Sequence, residues 1–196
     1  AIMYSISNII VQVSINNFGV DTMAAWTAYS KIDFIFWMIN SAFGISVMTF
    51  VGQNYGAGKW DRIRRGTKIC LGMALISAVF VSIILMSAER FLFGIFVNDA
   101  GVVEIGIHMM NVIAPAYLLF AFIEVFSGAL RAQGAVVVST LITMVGICVL
   151  RMIWVTLVAA HGTLEQVIIC YPITWAAGAL AMSIYYIYKQ RKIFQA

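Results

Sequence analysis

Six runs of apolar residues, each about long enough to cross a lipid bilayer, follow one another along the chain. They occupy roughly 1–17, 22–50, 66–88, 105–130, 136–160 and 166–188. A helix needs about 20 residues, at 1.5 Å each, to span the roughly 30 Å hydrocarbon layer. The runs at 22–50 and 105–130 exceed that length, so they tilt or extend past the hydrocarbon. Only 10% of the 196 residues are charged while 63% are apolar, too few charges to cover a water-facing surface. Two prolines in the whole chain and no strand-like alternation argue against a membrane barrel. The expectation is an all-α membrane protein of about six transmembrane helices.

The basic residues supply the topology. Lys59, Arg62, Arg64, Arg65, Lys68, Arg131, Lys189, Arg191 and Lys192 fall at one set of span ends; Arg90 falls at the other, and Lys31 and Arg151 lie inside spans. Short loops with this bias face the cytoplasm, which puts both ends of the segment there and makes the protein integral to the plasma or inner membrane. Asp21, Glu89, Asp99, Glu104 and Glu165 collect on the far side. The net charge of +4 is therefore a topology signal rather than a nucleic-acid footprint, and no nucleic-acid partner is expected. Cys70, Cys148 and Cys170 stand singly in separate runs, without disulfide or metal-ligand spacing. The chain enters its first apolar run without a charged leader or cleavage site, so a signal peptide is not expected, and a start inside a helix reads as a fragment or a truncated product.

The segment from Gly52 to Ile63 (GQNYGAGKWDRI) superficially resembles a phosphate loop, but Gln53 stands where the first glycine of that motif belongs and Trp60 where its Ser or Thr belongs. It reads instead as a tight turn between helices. No His-Glu-x-x-His motif and no Ser/His pairing occurs inside the spans, so an enzyme is not expected.

Phe50 to Lys59 followed by Asp61-Arg62 resembles the loop in the second half of MATE (multidrug and toxic compound extrusion) transporters. Ile15-Asn16-Asn17-Phe18-Gly19, Ala24-Ala25-Trp26, Gly128-Ala129-Leu130-Arg131, Leu150-Arg151 with Trp154, and Tyr171-Pro172-Ile173-Thr174-Trp175 extend the likeness in order over nearly the whole chain. The chain departs from the family pattern at Ala132, Ala135 and Ser139, where a Gly, a polar or basic residue and a Pro are usual. The resemblance implies helices seven to twelve of a two-lobed, twelve-helix antiporter, with the N-terminal lobe missing as its partner. It implies export of small cationic amphiphiles, drugs or metabolites, in exchange for H+ or Na+ as the coupling ion, with no other cofactor. A lipid-linked oligosaccharide flippase and a non-transporting, degenerate membrane fragment are the alternatives.

A charge at mid-bilayer costs about 2.5–3.5 kcal/mol even on lenient scales, so each ionisable residue inside a span requires a partner or a wet cavity. Glu124 is the first candidate for ion or proton coupling. Tyr117 and Phe120 share its helix face, an arrangement that offers a carboxylate beside aromatic rings to a cation. The family carries its acid in this helix, in many members one turn nearer Phe120. Asp33 is the second candidate. It lies at about the same depth as Lys31 and Arg151, about 14 Å from the outer helix ends, so the three form an expected charge cluster. The first helix has Asn8, Gln12 and Asn16 where many relatives have a glutamate. Trp37, Asn40 and Gln12 join Tyr117 and Phe120 as expected lining of a substrate cavity. Pro115 is expected to bend its helix, and His108 and His161 to lie near the outer surface.

Overall fold

The computed structural model describes residues 2–158 and 162–194; Ala1, 159–161 and 195–196 lie outside the described residues, and with them His161 and the ends of the expected spans 1–17 and 136–160. The described chain is helical throughout: α1 (Ile2–Asn16), α2 (Val20–Gly56), α3 (Trp60–Ser87), α4 (Glu89–Phe96), α5 (Ala100–Ile113), α6 (Tyr117–Ala132), α7 (Val136–Thr143), α8 (Leu150–Leu157), α9 (Leu164–Ile168) and α10 (Cys170–Phe194). Five helical stretches are long and apolar enough to cross a membrane: Val20–Gly56, Trp60–Ser87, Ala100–Ala132, Val136–Leu157 and Leu164–Lys192. With the shorter α1 they make a six-helix lobe.

Three of the long stretches are compound: Leu164–Lys192 joins α9 to α10 through Ile169, and the other two change helix type part-way. Pro115 has no N–H to continue the α-helical ladder, and Ala114–Ala116 tightens into a 3-10 turn between α5 and α6. Ser82 Oγ donates to the Ala114 carbonyl at 2.8 Å, tying this turn to α3. Between α7 and α8 the residues Met144–Val149 form a π-helix. Its wider turn rotates everything downstream, Arg151 included, relative to a regular helix.

The turn at the basic end is shorter than the sequence motif implied. Gly52 through Gly56 continue α2, and only Ala57, Gly58 and Lys59 leave the helix. Lys59 N–H donates to the Asn54 carbonyl at 2.9 Å and Gly58 N–H to that of Tyr55 at 3.1 Å. That paired pattern requires a left-handed residue at Gly58, whose φ is +66°. Gly134 (φ +78°) ends α6 in the same way, through Ala135 to Leu130 at 2.9 Å and Gly134 to Arg131 at 3.1 Å.

At the opposite end, the stretch between the third and fourth expected spans is not a plain loop. Glu89–Phe96 forms the short helix α4. Phe93 is fully buried, packed where a side chain on Gly106 would otherwise stand. An exposed Arg90–Glu104 ion pair at 2.6 Å closes the corner.

α2 and α6 form the centre of the lobe. They run parallel, Asp33 meeting Tyr117 near one end and Gly44 meeting Gly128 further along. A Cβ on Gly128 would come within 2.7 Å of the Gly44 carbonyl oxygen, so the missing side chain is what lets the two backbones approach. Gly146 and Gly178 do the same between the π-helix and α10, at 3.3 Å.

Candidate functional site

Trp26, Tyr29, Asp33 and Trp37 recur along α2 at intervals of three, four and four residues, so one helix face carries all four. This face turns toward α1 and α10 around a cavity of about 450 Å³, lined also by Asn8, Gln12, Ser30, Phe34, Ile113, Tyr171 and Trp175. Its walls are mainly aromatic, and Asp33 is the carboxylate among them.

Asp33 is buried and bonded by neutral donors. Trp37 Nε1–H, one turn on, donates to Oδ2 at 2.5 Å, and the Tyr117 hydroxyl donates to Oδ1. Tyr29 OH lies 3.3 Å from Tyr117 OH and extends the chain of hydroxyls. Packing fixes the donors: Tyr117 stacks on Phe36, with centroids 3.8 Å apart and planes 5° from parallel. Trp37 meets Phe120 edge-on at 4.6 Å and Trp175 at 6.0 Å. The 3-10 turn at Ala114–Ala116 immediately precedes Tyr117 and so sets where α6 begins.

The second acid sits elsewhere. Glu124 lies over Gly44, its carboxyl and Cγ filling the space that a side chain there would take. Gly44 follows Asp33 by eleven residues, about 16 Å along the helix. Arg131 Nη2 approaches Glu124 Oε1 at 3.8 Å, with the glutamate side chain 24% exposed. Glu124 is not among the residues lining the cavity around Asp33.

The expected charge cluster divides. Lys31 precedes Asp33 by two residues, about 200° around the helix, and equal depth does not compensate for that angle. Its side chain is exposed, with Nζ 5.4 Å from the Phe96 ring centroid on α4, and it lines a neighbouring hollow with Gln12, Trp26, Thr27, Ser30 and Phe34. Arg151 is fully buried. Its Nη1 donates to Asn8 Oδ1 at 2.9 Å, and its guanidinium lies 4.2 Å over the Tyr171 ring. Arg151 therefore meets the cavity from behind two of its lining residues.

Of the expected cavity residues, Gln12 and Trp37 line it, Gln12 also donating to Asn16 Oδ1 at 2.9 Å. Tyr117, Phe120 and Asn40 are buried and do not line it: Tyr117 supports the carboxylate from within, and Phe120 backs the tryptophans. Tyr29, Tyr171 and Trp175 were not among the expected lining. The signal was present as an aromatic stripe at helical spacing around Asp33, and as Tyr171 and Trp175 four residues apart.

The fold, with this polar group sheltered between apolar helices, defines a six-helix lobe of a multi-pass membrane protein. The family model MatE matches residues 1–157; the chain belongs to that family. It is 25% identical over 98% of its length to the probable multidrug resistance protein YoeA of Bacillus subtilis, covering 42% of that protein. It is 22% identical over 78% of its length to human multidrug and toxin extrusion protein 1, covering 28% of it. An outward-facing multidrug resistance MATE family transporter superposes with a TM-score of 0.90 over all of this chain and 44% of its own, at 15% identity. A MOP superfamily transporter from Pyrococcus furiosus superposes at 0.84 over 96% of this chain and 42% of its own, at 17% identity. At such identities the structural likeness shows the fold, and the chain spans at most about two-fifths of the curated relatives it matches.

Proposed function

We propose that this chain is one lobe of an antiporter that exports cationic, partly apolar compounds in exchange for inward H+ or Na+, with Asp33 as its principal exchange carboxylate. One observation carries the reading: Asp33 is the carboxylate lining an aromatic cavity of about 450 Å³. An organic cation there gains both from the carboxylate and from ring faces, an attraction worth about 2 kcal/mol or more per desolvated contact. The hydroxyl of Tyr117 and the indole N–H of Trp37 offset the cost of an empty, charged carboxylate.

The exchange follows from charge balance. A single carboxylate does not hold a coupling ion and a drug cation at full strength, so loading one favours release of the other. Rocking of this lobe against a second one would present the cavity to either side in turn. Glu124, paired with Arg131 and packed at the α2–α6 crossing, takes the subordinate place.

The test is ethidium efflux from cells that express the full-length protein and lack their own pumps. Asp33→Asn is expected to reduce efflux to the level of cells without the protein, at equal membrane abundance. Efflux unchanged in that variant would remove Asp33 from the exchange.

A further inference from the structure

Away from the Asp33 cavity, α2 and α3 enclose a second, apolar hollow near the basic end of the bundle. Gly66, Ile69 and Met73 of α3 line it with Phe43, Ser46 and Phe50 of α2, around a volume of about 360 Å³. The Phe50 ring occupies the place of the missing side chain at Gly66, which lets the two helices close the floor.

The mouth of the groove faces outward. Ile69 and Met73 are 55% and 56% exposed, and the stripe continues through Ile76, Phe80 and Ile83, 58–72% exposed. In an integral membrane protein such an apolar stripe is solvated by acyl chains.

The same stripe begins with a charge. Arg62, Gly66, Ile69 and Met73 are spaced by four, three and four residues and share one face of α3. Arg62 and its neighbour Arg65, one turn on, are exposed. Arg62 also lines a polar recess of about 340 Å³ with Gly58, Lys59, Trp60 and Asp61. Asp61 is the acid in that recess, opposed by Lys59 and Arg62. From Arg62 to Met73 the helix rises about 16 Å, close to the roughly 15 Å of one hydrocarbon leaflet.

We propose that this site binds an anionic glycerophospholipid, its phosphate held by Arg62 and Arg65 with Lys59 adding positive charge, and one acyl chain lying in the α2–α3 groove. A free phosphate would leave the groove unfilled, and a zwitterionic lipid would bring a second positive charge to a recess that already holds an excess of them. Bound there, the lipid bridges α2, which carries Asp33, to the outer helix α3. The site is independent of what the Asp33 cavity transports.

Native mass spectrometry of the full-length protein, with dioleoyl phosphatidylglycerol or dioleoyl phosphatidylcholine added in detergent, tests the proposal. The parent protein is expected to retain one phosphatidylglycerol in preference to phosphatidylcholine. Each basic residue near a charged lipid is worth about fivefold in affinity, so the Arg62→Gln/Arg65→Gln double variant is expected to lose about 30-fold for phosphatidylglycerol and little for phosphatidylcholine. Ile69→Trp, which fills the groove and leaves the charges, weakens retention of both lipids. Lys192→Gln, at the basic end but on α10, changes neither. Equal retention of the two lipids by the parent, no loss in the double arginine variant, or an equal loss in Lys192→Gln would overturn the proposal.

Discussion

Asp33 and Glu124 are both sheltered between the apolar helices, and the molecule treats these two carboxylates differently. Asp33 is met by an indole N–H and a phenol hydroxyl, both neutral, and lines an aromatic cavity. Glu124 is met by a guanidinium and fills the notch left by a glycine where α2 and α6 cross. A carboxylate bonded by neutral donors has no protein cation beside it to compensate its charge, which leaves that place to an incoming cation. One beside an arginine is already compensated and has packing to maintain. Burial alone therefore does not separate the two acids; the charge of the surrounding partners does, and on that difference the proposed exchange role of Asp33 rests.

Several substitutions sharpen or break this contrast. The largest effect is expected from Asp33→Asn, which removes the charge but keeps the shape: dye efflux falls to background while thermal stability stays close to that of the parent. Tyr117→Phe comes next. It deletes one hydrogen bond to the carboxylate, of a type worth about 1.5–3 kcal/mol, so the apparent affinity for a cationic substrate is expected to change by about 10- to 100-fold, read as the concentration for half-maximal efflux. An unaltered value would mean that the hydroxyl does not tune the carboxylate.

On the Glu124 side the effects are expected in stability. Gly128→Ala forces a methyl against the Gly44 carbonyl oxygen, 2.7 Å away, and overpacking of this kind costs about 1–3 kcal/mol. A lowered melting temperature of the detergent-solubilised protein would report it, and an unchanged one would show that the crossing has slack. Glu124→Gln is the smallest: a partly exposed pair at 3.8 Å is worth about 0–1 kcal/mol, so efflux should remain within about fivefold. Complete loss of efflux in Glu124→Gln, with Asp33→Asn active, would invert the comparison.

The six-helix lobe was legible in the sequence because hydropathy over twenty residues is a direct measure of what lipid tolerates. The interruption of the α-helix at Pro115 and a glycine turn within the Gly52–Ile63 segment were legible because each rests on the backbone chemistry of single residues. What hydropathy does not encode is azimuth. Span ends put Lys31, Asp33 and Arg151 at one expected depth, yet Lys31 points around the helix from Asp33, and the π-helix before Arg151 turns that side chain toward Asn8. No residue type announces a π-helix, so the phase of α8 was not readable. α4 escaped because eight residues are too few for a periodicity signal. Glu124 drew attention through its place beside Tyr117 and Phe120 on one helix face, whereas the notch opposite it belongs to Gly44, on another helix.

Competition at Asp33 is most directly measured by equilibrium binding of a fluorescent cationic dye to the purified full-length protein, titrated with Na+ and, separately, with H+. At least one of the two ions is expected to displace the dye from the parent, and Asp33→Asn is expected both to weaken dye binding and to abolish that displacement. Dye that binds Asp33→Asn as tightly as the parent, and is displaced by the same ion concentrations, would show that Asp33 is not where the two cations compete.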